Sequence, residues 1–337
     1  MKKNVKMSDI AQKLNVSNVT VSKALADKDG VSEELRSKIK QLANEMGYSY
    51  NSMAKSLKDG KTYNIGIVVP ERFLGQTMSF YWVLYQNISK ELLKKNYYGI
   101  FEILKVEDEE NLVLPKMMQD QKIDGVIILG QASRSYVKMI LSTDIPMICM
   151  DFYENFPDID TIITDNFYGT YLLTDYLIEK GHKNIGFIGN VKATSSIQDR
   201  FLGYLKALIE NDLDYKKEWT LSDRLKNGVN IEIRLPDTMP TAFVCNCDET
   251  AFRFIKILRQ NNYKVPDDIS VVGFDNYLIS EICDPPITTV EVDMKAMAQS
   301  GVELIVQKMC HSHYKAGRRL ISGKIVIKDS VKNLNLS

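Results

Sequence analysis

The chain has 337 residues, 45% hydrophobic and 26% charged, which is ample for a large core and long for a single domain. Its 43 basic and 43 acidic side chains cancel, but unevenly: residues 1–61 carry 11 Lys and 1 Arg against 7 acids, and the remainder carries the opposite excess. No stretch approaches the ~20 apolar residues of a membrane span, Met1-Lys2-Lys3 opens onto no apolar export signal, and 5 scattered cysteines, an odd number, fit reduced thiols in a cytoplasm better than a disulfide framework.

Met7 to Leu14 reads as a short helix with Ile10, Ala11 and Leu14 inward. Ser17 is a good N-cap for a second helix running to Leu25, because its hydroxyl can accept from an unpaired first-turn amide. Val21 and Leu25 share one face of that helix, leaving Asn18, Val19, Ser22 and Lys23 to point elsewhere. Only Asn15 and Val16 separate the two helices, the tight turn a helix-turn-helix needs. A third helix is expected from Ser32 to Met46, striped with Leu35, Ile39, Leu42, Ala43 and Met46 and stopped by Gly47. A small basic module on a mildly acidic body is the electrostatic outline of a nucleic-acid binder. Next comes a short lysine-flanked segment, Asn51 to Gly60, with Ala54 and Leu57 as its spaced apolar residues.

From Tyr63 the pattern changes. Residues 64–70, 98–104, 124–130 and 146–152 are short apolar runs rich in β-branched side chains, separated by helical stretches such as Leu84, Ile88 and Leu92. A second set follows at 161–165, 184–189, 240–246 and 269–275. Strands alternating with helices predict parallel sheets covered on both faces, and two similar halves predict a cleft between them.

The order of motifs strongly resembles the lactose-repressor (LacI/GalR) family. "MSDIAQKLNVSNVTVSKAL", "VSEELRSKIKQLANEMGYSYNSMAKSL" and "NIGIVVP" are followed by "GHKNIGFIGN", "PTAFVC", "DISVVGFDN" and "PPITTVEVD", so the match spans nearly the whole chain. The resemblance implies an α/β architecture with three parts. These are a helix-turn-helix DNA-binding domain at 1–50, a hinge helix or linker at 51–61, and a two-lobed periplasmic-binding-protein-like core at 62–337. In that core the chain crosses between lobes near 163, 291 and 322, giving one lobe from 62–163 and 292–321 and the other from 164–291 and 322–337. Between Trp219 and Pro240 the family usually has a helix. Here Gly228 and the alternation Ile231, Ile233, Leu235 predict something short and extended.

It also implies roles. Ser17, Asn18, Val19, Thr20, Ser22, Lys23, Asn51, Ala54 and Leu57 are expected at DNA. Val19 suits a thymine methyl, Asn18 an adenine edge, and Lys23 a guanine or a phosphate. Thr20 and Ser22 suit phosphates, and Leu57 matches the hinge leucine that wedges into the minor groove. An effector is expected outside the carboxyl ends of the core strands. Candidates there are Phe80 and Tyr81 for a sugar's C–H face, Asp151, Asp248 and Asp275 for hydroxyl pairs, Arg200 for a charge-assisted fork, and Trp219. Each has a plainer alternative, since a strand-end Asp can cap the following turn and Trp219 can be core.

Cys245-x-Cys247 and His311-x-His313 lack further ligands for a metal. No phosphate loop, nucleophile elbow or catalytic carboxylate pair appears, so neither enzyme nor cofactor is expected. The expectation is a cytoplasmic, homodimeric repressor without membrane association, binding a palindromic operator and controlled by a small polar effector, most simply a sugar. A solute-binding protein, or a regulator gated by a protein partner, is the alternative. With no heptad tail after Ile327, nothing calls for a tetramer.

Overall fold

The computed structural model describes residues 5–25, 27–48, 56, 59–74, 80–156, 159–311 and 314–336. It divides into two compact units, Met1–Lys61 and Thr62–Ser337.

The first unit holds α1 (Met7–Leu14), α2 (Asn18–Leu25) and α3 (Glu33–Glu45). Each start has a local cause. Asp9 reaches back to accept from the Lys6 amide at 2.9 Å, Ser17 Oγ accepts from the Thr20 amide at 3.0 Å, and Ser32 Oγ accepts from the Leu35 amide. Asn15 ends α1 in the left-handed region, φ 49°, and so makes the tight turn. Ile10, Ala11, Val21, Ala24, Ile39 and Ala43 are buried together between the helices. Each large aliphatic in that set contributes about 1.5–3 kcal/mol through burial. Arg36 is buried beside them, with its guanidinium on the Lys28 carbonyl and on Asp27.

In the second unit, β1 (Asn64–Pro70), β2 (Tyr98–Leu104), β3 (Gly125–Leu129), β4 (Met147–Met150) and β5 (Asp160–Thr164) alternate with α4 (Phe80–Lys94), α5 (Val106–Glu110), α6 (Lys116–Gln119) and α7 (Arg134–Leu141). After α8 (Asn166–Glu179) come β6 (Ile185–Ile188), α9 (Ser195–Glu210), β7 (Thr220–Leu221), β8 (Ala242–Cys245), α10 (Asp248–Gln260), β9 (Ser270–Val272) and α11 (Leu278–Ile282). β10 (Thr289–Glu291), α12 (Met294–Cys310), β11 (Arg318–Ile321) and β12 (Lys324–Val326) complete it.

One sheet runs β11-β5-β4-β3-β1-β2 and the other β7-β6-β8-β9, every pairing parallel. Helices cover both faces, so β1, β3, β4 and β8 are almost wholly buried, as their unbroken apolar runs require. β10 and β12 pair antiparallel outside both sheets. Leu84, Ile88 and Leu92 are buried on one face of α4.

The segment after Trp219 has no helix. β7 lasts two residues, then Arg224 and Asn230 bridge antiparallel around a turn in which Gly228 has φ +90°. Of the alternating Ile231, Ile233 and Leu235, Ile233 is buried in the core, but no neighbouring strand pairs with it. Asp223 anchors the turn. It is fully buried, accepts from the Asn190 amide at 3.0 Å, and takes Asn246, Thr250 and Arg224 on its other oxygen.

Candidate effector pocket and nucleic-acid interface

In the first unit, α2 buries Val21 and Ala24, packs Leu25 against the same core and turns its other face outward. Ser17, Asn18 and Lys23 are exposed, and Thr20 and Ser22 are partly so. Val19 is 64% exposed, a β-branched apolar side chain left in water on a helix that has a core to fill. That is the side chain the thymine-methyl reading requires. Asn51, Ala54 and Leu57 lie outside the described residues, as does His313.

In the second unit, the ends of the strands in both sheets surround a cavity of about 400 Å³. Arg72, Phe73, Phe80, Tyr81 and Asp151 line it from the first sheet, and Arg200, Asn246, Cys247, Asp248, Phe252, Asp275 and Tyr277 from the second. Of the expected residues, Phe80, Tyr81, Asp151, Arg200, Asp248 and Asp275 are therefore brought together. Trp219 is not. It is buried, its indole N–H donates to the Thr238 carbonyl at 2.8 Å, and it does not line the cavity. With no following helix to carry it toward the cleft, this large ring packs inward.

Arg200 is seated by its helix. A Cβ added to Gly203 would lie 2.1 Å from the Phe167 carbonyl oxygen, so only glycine lets α9 come this close to α8. From there the Arg200 guanidinium, 3.8 Å from the Phe274 ring centroid, donates to Asn166 Oδ1 at 2.8 Å, to the Asn246 carbonyl, and to Asp275 at 3.3 Å. Asp151 and Asp275 hold left-handed backbone, φ 65° and φ 114°. Such strain in a non-glycine residue persists where the surroundings enforce it, commonly at ligand sites.

The carboxyls are electrically uncomfortable. Burial pushes Asp275 up to about 7, and Asp151 adds to this against the pull of Arg200. Asp248 and Asp151 are also raised, mainly by burial. Asp248 is nonetheless hydrogen-bonded, accepting from Thr289 Oγ1 at 2.6 Å and from the Tyr277 amide at 2.8 Å. Its carboxyl thus ties the start of α10 to the Tyr277 and Thr289 segments as well as facing the cavity. The same strand-end logic that nominated Asp248 would have found Asn246, two residues earlier. Arg224 and Arg253 also line the cavity, and nothing in the linear sequence marked them, because their position depends on how the 224–230 turn folds back.

A wider groove of about 1130 Å³ adjoins this cavity through Arg72 and Thr194. Across it, Gln131 accepts from the Ser195 amide and hydroxyl at 3.1 Å, and Tyr153 donates to Asp199 at 2.8 Å. Both contacts join the two lobes. Among the described residues, no helix is long and apolar enough to cross a membrane, and no His/Cys/Asp/Glu group could hold a metal ion.

Residues 6–51 match the family described as bacterial regulatory proteins, lacI family, and residues 174–331 match a periplasmic binding protein-like domain. The regulator of the NTD biosynthesis operon, NtdR, of Bacillus subtilis is 30% identical over 332 residues, covering 96% of this chain and 99% of that protein. The transcriptional repressor PurR of Vibrio campbellii is 27% identical over 335 residues, covering 98% and 99%. Among solved structures, the lac repressor dimer bound to operator and the anti-inducer ONPF has a TM-score of 0.75 at 21% identity, covering 98% of this chain and 100% of that one. The transcriptional regulator CelR in complex with cellobiose has a TM-score of 0.70 at 19% identity, covering 97% and 100%. By the exposed flank of α2, the two-lobed core and this end-to-end likeness, the chain belongs to the lacI family of DNA-binding transcriptional regulators and is not an enzyme.

Proposed function

We propose that this regulator is a cytoplasmic homodimeric repressor whose grip on a palindromic operator is set by a small polar effector, a sugar or sugar derivative, held at the strand ends of the core. The observation that carries the reading is the cavity itself. Aromatic faces of Phe80 and Tyr81, the fork of Arg200, and the carboxyls of Asp151 and Asp275 converge on one space. Flat rings suit a pyranose C–H surface, and carboxylates and guanidinium suit its hydroxyls.

On DNA, Asn18 and Val19 read base edges, Lys23 meets a guanine or a phosphate, and Ser17, Thr20 and Ser22 hold phosphates. Asn51, Ala54 and Leu57 belong to the hinge. An apolar wedge such as Leu57 costs a few kcal/mol of unstacking and gains a bent, better-wrapped duplex. The two-fold symmetry of a dimer matches an inverted repeat.

Coupling works through the lobes. An effector that prefers one lobe arrangement by ~1–3 kcal/mol changes operator affinity by the same factor. The Gln131–Ser195 and Tyr153–Asp199 bonds are the contacts such a rearrangement would break or remake. A thermal-shift screen of sugars and glycosides, followed by operator mobility shifts with each hit, tests the proposal. Hits that also change operator affinity support it, and hits that leave operator affinity untouched contradict it.

A further inference from the structure

The charges lining the pocket are unevenly paired. Asp151, Asp248, Glu249 and Asp275 face it together with four arginines. Two of the arginines are already neutralised by acids that do not line the pocket: Arg72 by Glu109, and Arg224 by Asp223. Arg253 spends its guanidinium on the backbone carbonyls of Asp223 and Ile231. Arg200 alone meets a pocket carboxyl, Asp275.

Asp151 is the carboxyl left over. It is 6% exposed, and its Oδ2 accepts from the Tyr81 hydroxyl at 2.7 Å. Its Oδ1 is buried without a hydrogen-bond donor among the described residues. A carboxylate offers about four acceptor positions, and a buried one is stabilised only when donors fill them, best of all charged donors. Burial holds all three carboxyls above the ordinary range, and the neighbouring acid adds to this at Asp248 (from Asp275) and at Asp275 (from Asp151). Around Asp151 stand aromatic rings: Tyr81 packs against Phe73 at 5.1 Å and against Phe80 at 5.3 Å between centroids. Ring faces attract cations as well as C–H surfaces.

We propose that the effector carries a protonated amino group seated at Asp151, so that its class is an amino sugar and not a neutral one. This rests on the reading of the cavity as a sugar-class effector site. The ammonium supplies the donor that Oδ1 lacks, and its charge favours the ionised form of Asp151 that burial opposes. Arg200 and Asp275 remain for the hydroxyls of the same ring.

Calorimetric titration of the full-length protein tests this with a matched panel. The panel contains glucose, galactose and mannose, their amino-deoxy derivatives substituted at C2, C3 or C6, and the N-acetylated forms of those amines. At least one amine is expected to bind about ten- to hundredfold more tightly than both its hydroxyl parent and its N-acetyl form, the scale of a hydrogen bond to a charged group. Asp151→Asn, close in shape, should erase that preference. Should the variant fail to fold, the parent protein gives a second reading. Affinity for the amine should fall as pH rises past the amine's own pKa, while affinity for the neutral parent does not follow. Neutral sugars binding as tightly as their amines, a preference that survives Asp151→Asn, or an amine affinity indifferent to its protonation would each overturn the proposal while leaving the sugar site standing. If no member of the panel binds, the sugar-class reading itself fails and this inference goes with it.

Discussion

Arg200 and Asp275 meet at 3.3 Å, and that one guanidinium also holds the Asn166 side chain and the Asn246 carbonyl. Four separate pieces of chain, the starts of α8 and α9 and the ends of β8 and β9, are therefore tied at a single buried group. The pocket's geometry and the stability of this lobe depend on the same bonds.

Replacing Arg200 with Ala should weaken effector binding by about tenfold or more, the worth of a lost charge-assisted bond. It should also lower the melting temperature, because Asp275 is left buried without its partner, a loss on the order of 3–5 kcal/mol where the carboxylate stays ionised. Calorimetric titration and a denaturation curve separate the two effects. A variant with an unchanged effector midpoint would remove Arg200 from the site.

Asp275 gives a pH signature. Its folded-state pKa, about 7, lies above the ordinary value of 3.8, with burial the main cause. Between those values the folded chain holds a proton that the unfolded chain has released. The stability this group contributes is thus fully present below pH ~4 and is lost as pH rises through about 7. Asp151 and Asp248 act in the same direction. Urea unfolding across this range should show a smaller decline for Asp275→Asn than for the parent chain, and equal slopes would contradict the assignment.

Asp223 has the opposite sign. Burial alone would raise it, but the Arg224 charge and the hydrogen bonds from Arg224, Asn246 and Thr250 outweigh burial and hold it below 3.8. Its contribution is present above the ordinary carboxylate range and lost in acid. Asp223→Ala should cost about 3–5 kcal/mol, since it strands a buried guanidinium and unties the 224–230 turn. Chemical denaturation measures the cost, and protease nicking within that turn reports the untying.

Much of this was legible before any coordinates. The strand Asn64–Pro70 coincides with its apolar run, because a strand buried on both faces has to be apolar along its length; Tyr98–Leu104 also coincides with its run, but as an edge strand it leaves Tyr98 and Ile103 exposed. α1 spans the expected residues, and Ser17 caps where serine before an apolar stripe suggests; the third helix starts one residue later than expected, with Ser32 as its cap. Strand-end placement brought Asp151, Asp248 and Asp275 to one cavity. The pattern failed where partners are distant or local cues conflict. Trp219 carries no mark that distinguishes a ligand platform from core. Arg224 becomes a pocket residue only because Asp223 beside it is gripped by Asn190, Asn246 and Thr250.

The recognition helix makes a graded prediction. Asn18→Ala should relax the base preference at one position of each half-site by about 1–3 kcal/mol. Loss of the Lys23 charge, if it contacts phosphate, should weaken binding evenly across sequences and lower the salt slope by about one. Ser17→Ala should cost about 1 kcal/mol of stability in the first unit through its lost cap. Competition binding against a duplex library separates the first two patterns.

The most direct test is to select duplexes from a random pool with the purified full-length protein and to weigh the resulting complexes by sedimentation across a salt series. The account predicts an inverted-repeat consensus, two chains on each duplex, and an affinity that falls steeply with salt, because phosphate contacts release counterions. One chain per duplex, or selected sequences without two-fold symmetry, would contradict it.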